Sequence, residues 1–195
     1  AYAHQAAAAL ENARLFAETE RRLRYLSALR TVDMAITGSL ELRVTLNVIL
    51  DQVTTQLGVD AADVLLLNTP AQTLEFAAGR GFRTRALQHT LLRLGQGYAG
   101  RAAMERRIIT IPDLRGAPDV FERSPLLPHE EVVAFYAAPL LAKGQAKGVL
   151  EIFHRAPLTP DPDWLDFLEA LAGQAAIAID SATLFDELQR ANASL

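Results

Sequence analysis

The sequence predicts an α+β domain, with long helices at both ends and an antiparallel sheet between them. Helical periodicity fills the two ends of the chain, whereas short apolar runs bounded by turn residues fill the middle. The runs are joined by segments of hairpin length, which favour antiparallel pairing. This order predicts a sheet of five to six strands with the N- and C-terminal helices packed on one face.

The N-terminal part of the chain, residues 6–57, is predicted to form two helices. Apolar residues recur there at spacings of three, four or seven, and alanines raise the helix propensity. The stretch 37–41 predicts a break, after which Ser39 is expected to cap the second helix and Gly58 to end it. The last helix is expected to begin near Asp163 and to run to the end of the chain.

The middle of the chain has the pattern of strands. Short apolar runs followed by Gly, Pro, Asn or Asp are typical of strands that end in turns. The predicted strands cover residues 62–68, 72–82, 90–94, 108–113, 132–141 and 146–154, with a short helix over 99–107. Asp113, at the end of one of these strands, is predicted to cap a turn rather than to contact a ligand.

Composition excludes several classes of function. The chain of 195 residues is half hydrophobic, has a net charge of -4 and carries no basic stripe, so no nucleic-acid partner is expected. It contains no cysteine, which excludes disulfides, thiolate metal sites, cysteine nucleophiles and cofactors held by a thioether. The histidines lack ligand spacing, so no metal is expected. No apolar run reaches the roughly 18–20 residues that cross a bilayer, so we expect no membrane insertion and a cytoplasmic location.

One motif invites comparison with dinucleotide-binding proteins. G-Q-G-Y-A-G (95–100) fits G-x-G-x-x-G, follows a strand and opens a helix. Only about eight residues separate Gly100 from the next strand, which is too few for a helix that crosses a parallel sheet. We therefore expect these glycines to make a tight strand-to-helix turn, with positive φ at one or two positions.

A helical phrase occurs near both ends of the chain. Residues 5–18 and 174–187 share, in order, a Gln-Ala-Ala opening, an acidic residue at the seventh place, a Leu-Phe pair and a Glu two places after the Phe. The offset between the copies is close to the length of one domain. We therefore expect the first copy to be the closing helix of a preceding, similar domain, and the chain to be a piece of a longer protein.

The order of motifs resembles the GAF domain family over about residues 24–185. The segments that carry the resemblance are L-R-L-G-Q-G-Y-A-G-R-A-A-M-E-R-R-I-I-T-I-P-D-L (92–114), A-A-P-L (137–140), K-G-V-L-E-I-F (147–153) and L-A-G-Q-A-A-I-A-I-D-S-A-T-L-F (171–185). The resemblance implies a six-stranded antiparallel sheet with the terminal helices on one face. It also implies a small-molecule pocket on the other face, under the loop after Asp113.

The resemblance is greatest to GAF domains of bacterial signalling proteins. In those proteins tandem sensors precede an HD-GYP cyclic-di-GMP phosphodiesterase, a histidine kinase or a GGDEF cyclase, so the resemblance implies a regulatory domain and not an enzyme. Adjacent sensor and output domains are expected in the same chain. The expected boundaries are the end of a helical linker over 1–22, the GAF domain over 23–182 and the start of a signalling helix over 183–195.

Different members of the family bind different ligands, and no cofactor can be identified from this sequence. A covalently bound bilin needs a cysteine, and the cyclic-nucleotide signature of the family is not visible. The resemblance therefore implies an unknown small ligand or none. By analogy with the family's pocket, the candidates for ligand contact are Phe76, Arg80, Tyr98, Phe121, Phe135, Tyr136 and Glu151, although core packing is the simpler interpretation of any single aromatic residue.

Glu151 is also singled out by strand periodicity. Val149, Glu151 and Phe153 share one face of a predicted strand, and an unpaired carboxylate buried there would be strongly destabilising. Glu151 therefore either lines a wet cavity or is a structural carboxylate bonded to backbone or arginine. The structural interpretation is favoured.

The final helix carries a heptad seam at Leu171, Ala175, Ala178, Ala182 and Phe185. Its first half is expected to pack on the domain's own sheet, whereas beyond about Ala182 the stripe predicts a partner helix. We expect a homodimer through the terminal helices, with Phe16, Leu23, Ala178, Ala182 and Phe185 in the interface. Two functions stay open: a ligand-binding sensor that relays through its helices, and a ligand-free dimerising spacer.

Overall fold

A computed structural model describes residues 2–39, 41–116, 127 and 129–193. Helices and strands follow the predicted order. They are α1 (Tyr2–Gly38), α2 (Leu42–Leu57), β1 (Ala61–Asn68), β2 (Thr73–Arg80), β3 (Leu91–Arg93), α3 (Gly97–Glu105), β4 (Ile109–Ile111), β5 (Ala134–Ala142), β6 (Gln145–His154) and α4 (Pro162–Ala193). Short 3₁₀ turns lie at Ala86–His89 and Leu114–Gly116.

The strands form one six-stranded sheet in the order β3-β2-β1-β6-β5-β4, and every neighbouring pair is antiparallel. The central strands β1 and β6 are far apart in sequence. The pairs on either side of them, β1–β2 and β5–β6, are hairpins. The predicted α+β class and the antiparallel sheet are therefore confirmed.

Side chains along each strand point alternately to the two faces of the sheet, so the core has two layers. On one face, which we call the terminal-helix face, side chains from the strands pack against α1, α2 and α4. The opposite face, which we call the α3 face, is covered by α3 and by residues of the loops. Along β6, for example, Leu150 and Ile152 belong to the terminal-helix face, and Val149 and Phe153 belong to the α3 face.

The break between α1 and α2 is confirmed, but the predicted cap is wrong. The residue that precedes α2 as its N-cap is Glu41, and it makes no capping bond through its side chain. The Ser39 hydroxyl instead accepts a hydrogen bond from the Glu41 backbone N–H at 3.1 Å, and Ser39 lies three residues before Leu42, the first residue of the helix. Gly58 ends α2 as predicted, in the left-handed conformation (φ 64°) that glycine adopts without strain.

The glycines of 95–100 make the tight turn that the sequence predicts. Gly95 and Gly97 have positive φ angles of 84° and 61°, and α3 follows directly. A Cβ on Gly100 would lie 2.6 Å from the Arg93 carbonyl oxygen, so the turn is closed against β3. Because α3 connects antiparallel strands, no dinucleotide-binding crossover is formed.

The two long helices run parallel and overlap along only part of their length. Residues 3–17 of α1 and the end of α4 beyond Ala182 are exposed on all sides, and the overlap lies between them. From one end of the overlap to the other, the contacts are Arg21–Asp163 (3.0 Å), the stacked rings of Tyr25 and Phe167 (4.0 Å between centroids) and Gln174–Asp33 (2.8 Å). The free segments of α1 and α4 therefore extend past opposite ends of the domain.

Part of the predicted dimer seam on α4 faces the domain itself. Ala178 is buried, and Ala182 and Phe185 line a groove beside the α1–α2 connection. Phe185 is 38% exposed, and its place in a dimer interface stays a prediction. Phe16 and Leu23 on α1, by contrast, are 67% and 61% exposed.

Among the described residues, α4 is the one helix that is long and apolar enough to cross a membrane. Less than half of its most apolar stretch is buried in the domain, but its first half supplies core residues such as Leu168 and Leu171. A core helix of a folded domain satisfies the same criterion, so this observation is weak evidence for a membrane segment.

Candidate functional site

The α3 face carries two fully buried carboxylates. Asp63 on β1 and Glu151 on β6 have no exposed surface, and they stand directly opposite each other in the antiparallel pairing. Side chains at opposite positions of such a pair lie on the same face, with Cβ atoms roughly 5 Å apart. The carboxyl oxygens of the pair can accept hydrogen bonds from a donor group that reaches them.

Small residues flank the two carboxylates in the same row across the sheet. Gly79 on β2 lies opposite Asp63, and Ala137 on β5 lies opposite Glu151. The Phe76 ring lies over Gly79, because a Cβ on that glycine would be only 2.9 Å from the ring carbons. Neither flanking residue has a side chain long enough to reach over the carboxylates.

Aromatic rings form one wall of the site. Phe153 on β6 is the central ring, with centroids of Phe82 at 5.2 Å and of Phe135 at 5.3 Å in edge-on contact. Tyr98 of α3 continues the wall, 5.8 Å from Phe135, and the Arg101 guanidinium lies 6.0 Å from the Tyr98 ring centre. This apolar wall beside a buried acidic pair suits a ligand with one apolar and one cationic or proton-donating part.

Small side chains let α3 lie close to the sheet. The helix places Ala99, Ala102 and Ala103 on its buried side, where they pack into the same cluster as Val149. At the edge of this face, a cleft of about 290 Å³ is lined by residues of the segment from Phe76 to Gln88, including Gly79. Gly79, which lines this cleft, is the β2 residue opposite Asp63 in the sheet.

Four of the predicted ligand-contact residues share the α3 face. Phe76, Tyr98 and Phe135 belong to its apolar cluster, and Glu151 lies among them on β6. Whether they bind a ligand stays a prediction. Phe121 lies outside the described residues.

The placement of Tyr136 on the pocket face is wrong. Tyr136 follows Phe135 directly in β5, and adjacent residues of a strand point to opposite faces. Its ring packs 5.2 Å from Trp164 of α4 on the terminal-helix face, and its hydroxyl donates a hydrogen bond to the Leu158 carbonyl oxygen. Tyr136 is therefore a core residue that attaches the segment before α4 to the sheet.

Tyr136 also predicts a measurable dependence of stability on alkaline pH. Burial raises its pKa from 10.0 to about 12, so stability is complete below pH 10 and falls as pH rises toward 12. We expect Tyr136→Phe to lower the free energy of unfolding at neutral pH by about 1 kcal/mol, through loss of the hydrogen bond. The variant should also lose less stability than the wild type between about pH 9 and pH 11 in urea titrations. Equal losses in both proteins would contradict the assignment.

Arg80 is likewise on the other face, and a β-bulge is the reason. The pairing of β1 with β2 shifts so that Ala77 has no partner between Phe76 and Ala78. The extra residue reverses the alternation, so Arg80 points toward α2 although it is four residues from Phe76. There its guanidinium forms an ion pair with Asp51 at 2.7 Å.

Asp113 caps a turn, as predicted. One carboxylate oxygen accepts the Arg115 backbone N–H at 3.0 Å, and the carboxylate also pairs with the Arg115 guanidinium. The side-chain hydrogen bond, followed by the backbone one, lowers the Asp113 pKa to about 2. The residue is thus engaged within its own turn.

Sequence reasoning missed Asp63, the cross-strand partner of Glu151. The signal was present, because Asp63 is the one charged residue in the apolar run A-A-D-V-L-L-L (61–67). The same argument that singled out Glu151, a carboxylate within a buried strand, applies to it. Its position opposite Glu151 depends on the pairing of β1 with β6, which the sequence does not show.

A six-stranded antiparallel sheet, with terminal helices on one face and a short helix over buried polar residues on the other, defines a class of α+β domain. Residues 39–180 match the family model described as the GAF domain. The chain therefore belongs to the GAF family, and the resemblance noted from its motifs is confirmed.

Solved structures share this fold. The GAF domain of a phosphoenolpyruvate-protein phosphotransferase from Coxiella burnetii is 20% identical, with a TM-score of 0.74 and coverage of 89% of this chain and 98% of that one. A segment of a methyl-accepting chemotaxis protein is 21% identical, with a TM-score of 0.67 and coverage of 79% and 98%. A domain described as part of a two-component sensor histidine kinase from Sinorhizobium meliloti 1021 is 21% identical, with a TM-score of 0.58 and coverage of 71% and 90%. A search of curated proteins found no match.

Proposed function

We propose that this domain is a sensory module of a bacterial signalling protein, which binds a small molecule on the α3 face and relays binding through its terminal helices. The observation that carries the proposal is the double role of β6. Glu151 lies on the α3 face, whereas its neighbours Leu150 and Ile152 lie in the core beneath the terminal helices. A ligand that moves Glu151 therefore acts on the strand that also supports α4.

The chemistry of the site favours a ligand with an ammonium, guanidinium or other proton-donating group. The Asp63 and Glu151 carboxyl groups lie side by side on a face whose other buried residues are mainly apolar. A proton-donating group of the ligand would hydrogen-bond to these carboxyl oxygens, and the Phe135 and Phe153 rings would contact its apolar part. No group of three or more histidine, aspartate and glutamate side chains suited to a metal occurs among the described residues.

The relay requires that the ligand favour one arrangement of α1 and α4 over another. The chemotaxis protein and the sensor histidine kinase whose domains share this fold are signalling proteins, which supports this role. We propose that the domain acts in the cytoplasm, is not itself catalytic, and is joined to further sensor and output domains. The proposed output domain is an HD-GYP phosphodiesterase, a GGDEF cyclase or a histidine kinase.

A thermal-shift screen with amines, amino acids and nucleotides tests the ligand. A compound present at about 100 times its dissociation constant should stabilise the domain by about 2.7 kcal/mol, which raises the melting temperature by roughly 5–10 °C. Glu151→Gln should abolish that rise, because the amide replaces one accepting oxygen with an NH₂ donor. Glu169→Gln, the same change at an exposed position of α4, is the control and should keep it. If no compound in these classes shifts the wild type, ligand binding is contradicted.

The relay is tested separately on the same protein. Because the chain contains no cysteine, one cysteine introduced at an exposed site on each of α1 and α4 can carry a spin label without interference. Ligand binding should change the distance distribution between the two labels. An unchanged distribution with bound ligand would contradict the relay but leave the binding site intact.

A second candidate is a dimerising spacer without a ligand, with residues 5–18 as the end of a preceding domain. The observation in its favour is the apolar surface of the helices, where Phe16, Leu23 and Leu26 of α1 are more than half exposed. We propose that a second copy of the chain covers this surface in a bundle of four helices. The spacer function needs this dimer, and the ligand screen distinguishes the two candidates.

A further inference from the structure

A buried carboxylate outside the Asp63–Glu151 pair is held by a complete set of donors. Glu130 has no exposed surface. Its Oε1 accepts hydrogen bonds from the Thr84 backbone N–H at 2.8 Å and from the Thr84 hydroxyl at 3.0 Å. Its Oε2 accepts from the Arg83 backbone N–H at 3.0 Å and from the Arg155 guanidinium at 3.1 Å. The donors form a cup whose shape and charge fit one carboxylate.

The cup is held in place by bonds that do not involve the Glu130 carboxylate. The Arg155 backbone N–H donates to the Asp60 carboxylate at 2.7 Å. The Arg155 guanidinium also donates to the Glu130 carbonyl oxygen at 2.9 Å and to the Gly81 carbonyl oxygen at 3.2 Å. Most of these anchors belong to the ends of β1, β2 and β6, so the donors keep their positions when the carboxylate leaves.

Gly81 sets the direction of the two backbone donors. It has a φ of 82°, and a Cβ on it would lie 2.0 Å from the Asp60 carbonyl oxygen, so no other residue fits. After this turn the successive N–H groups of Arg83 and Thr84 point toward the same carboxylate. Successive N–H groups in such an arrangement bind anions in many proteins. Burial would raise the Glu130 pKa, but the backbone N–H bonds, with the Thr84 and Arg155 side chains, keep it below its ordinary value.

The cup borders the cleft that contains Gly79. Arginines 80, 83 and 85 line that cleft, and the first two are about half exposed and form ion pairs with Asp51 and Glu131. On the other side, Leu127 and Val132, three and two residues from Glu130, pack against the apolar cluster of the α3 face. The position of Glu130 is therefore linked to how that face is covered.

We propose that the backbone N–H of Arg83, Thr84 and the Arg155 guanidinium form a carboxylate-binding site in which Glu130 is the resident ligand, and which a small external carboxylate occupies when Glu130 withdraws. The inference is independent of the proposed sensory function, because it depends only on the geometry of the cup.

Chemical rescue of a Glu130→Ala variant tests the site. The substitution removes the carbon and oxygen atoms that acetate contains, so acetate is the matched probe. We expect the variant to melt about 5–15 °C below the wild type, through loss of a buried, charge-assisted contact. Sodium acetate should restore at least about half of the lost melting temperature, and the effect should saturate as the acetate concentration rises. Sodium chloride keeps the ionic strength constant across the series.

Two further variants separate the cup from general effects. Glu130→Gln fills the cup with a neutral amide, so it should be destabilised but should not respond to acetate. Glu131→Ala removes the neighbouring exposed carboxylate that pairs with the Arg83 side chain, and it should neither melt at a much lower temperature nor respond. Equal recovery by chloride, or an equal response of the Gln variant, would overturn the proposal.

Amide exchange gives a readout that holds even where Glu130→Ala folds poorly. In that variant the Arg83 and Thr84 backbone amides should exchange faster than in the wild type, and acetate should slow them again. If the variant is unfolded without acetate, refolding in acetate should yield folded protein with these two amides protected. Failure of acetate to protect them, in either case, would overturn the proposal.

Discussion

Replacing Gly148 with alanine is expected to unfold the domain, or to lower its free energy of unfolding by about 4 kcal/mol or more. Gly148 lies in β6 opposite Leu66 of β1, where the two hairpins of the sheet meet. A Cβ there would stand 2.1 Å from the Leu65 backbone carbonyl oxygen, which is part of the sheet and cannot rotate away as a side chain would. Urea unfolding followed by circular dichroism measures the effect.

Gly173→Ala is the matched control for this substitution. Gly173 is in the middle of α4, and no atom lies within 4 Å of the position that its Cβ would take. Alanine is favoured over glycine in a helix, so we expect this variant to be more stable by about 0.5–1 kcal/mol. The same chemical change should thus have opposite signs at the two sites. Wild-type stability in Gly148→Ala would show that β1 and β6 do not pair as described.

Leu184→Glu is expected to weaken the proposed homodimer by about 100-fold or more, because dimerisation would bury an unpaired charge. Among the exposed apolar residues of α4, Ile177, Leu184 and Leu188 are spaced seven and four residues apart. This spacing is that of a heptad seam, one helical position away from the seam that packs on the domain. Sedimentation-equilibrium measurements over a range of concentrations give the dissociation constants.

Gln189→Glu adds the same charge outside this seam and serves as the control. Gln189 is exposed and follows Leu188 directly, so it lies on a different side of the helix. Its substitution should leave the dissociation constant within about two-fold of the wild type. A wild-type protein that stays monomeric at all concentrations would contradict the dimer, and with it the spacer function.

The helices and strands were predictable because their signals are local. Apolar periodicity, turn residues and the glycine at position 58 determine where most elements begin and end, and the observed bounds agree closely with the expected ones. The alternation along β6 likewise placed Glu151 on the correct face, because nothing interrupts that strand. These features need only neighbouring residues for their explanation.

Other features depended on contacts between distant segments. The bulge at Ala77 turned Arg80 to the opposite face, and a single extra residue of this kind leaves no clear mark in the sequence. The assignment of both Phe135 and Tyr136 to one face contradicted strand geometry and could have been avoided. The donors around Glu130 come from two separate parts of the chain, residues 83–84 and Arg155, so only the assembled fold brings them together.

The partial overlap of α1 and α4 makes the domain a mechanical link in series between whatever is attached to its two ends. Force or displacement applied to the free part of α1 reaches the free part of α4 through the side-by-side contacts near Tyr25 and Phe167, through α2 and through the sheet. A slide of one residue between the helices would change the distance between their far ends by about 1.5 Å. The overlap thus sets both the length of the link and how stiffly it transmits motion.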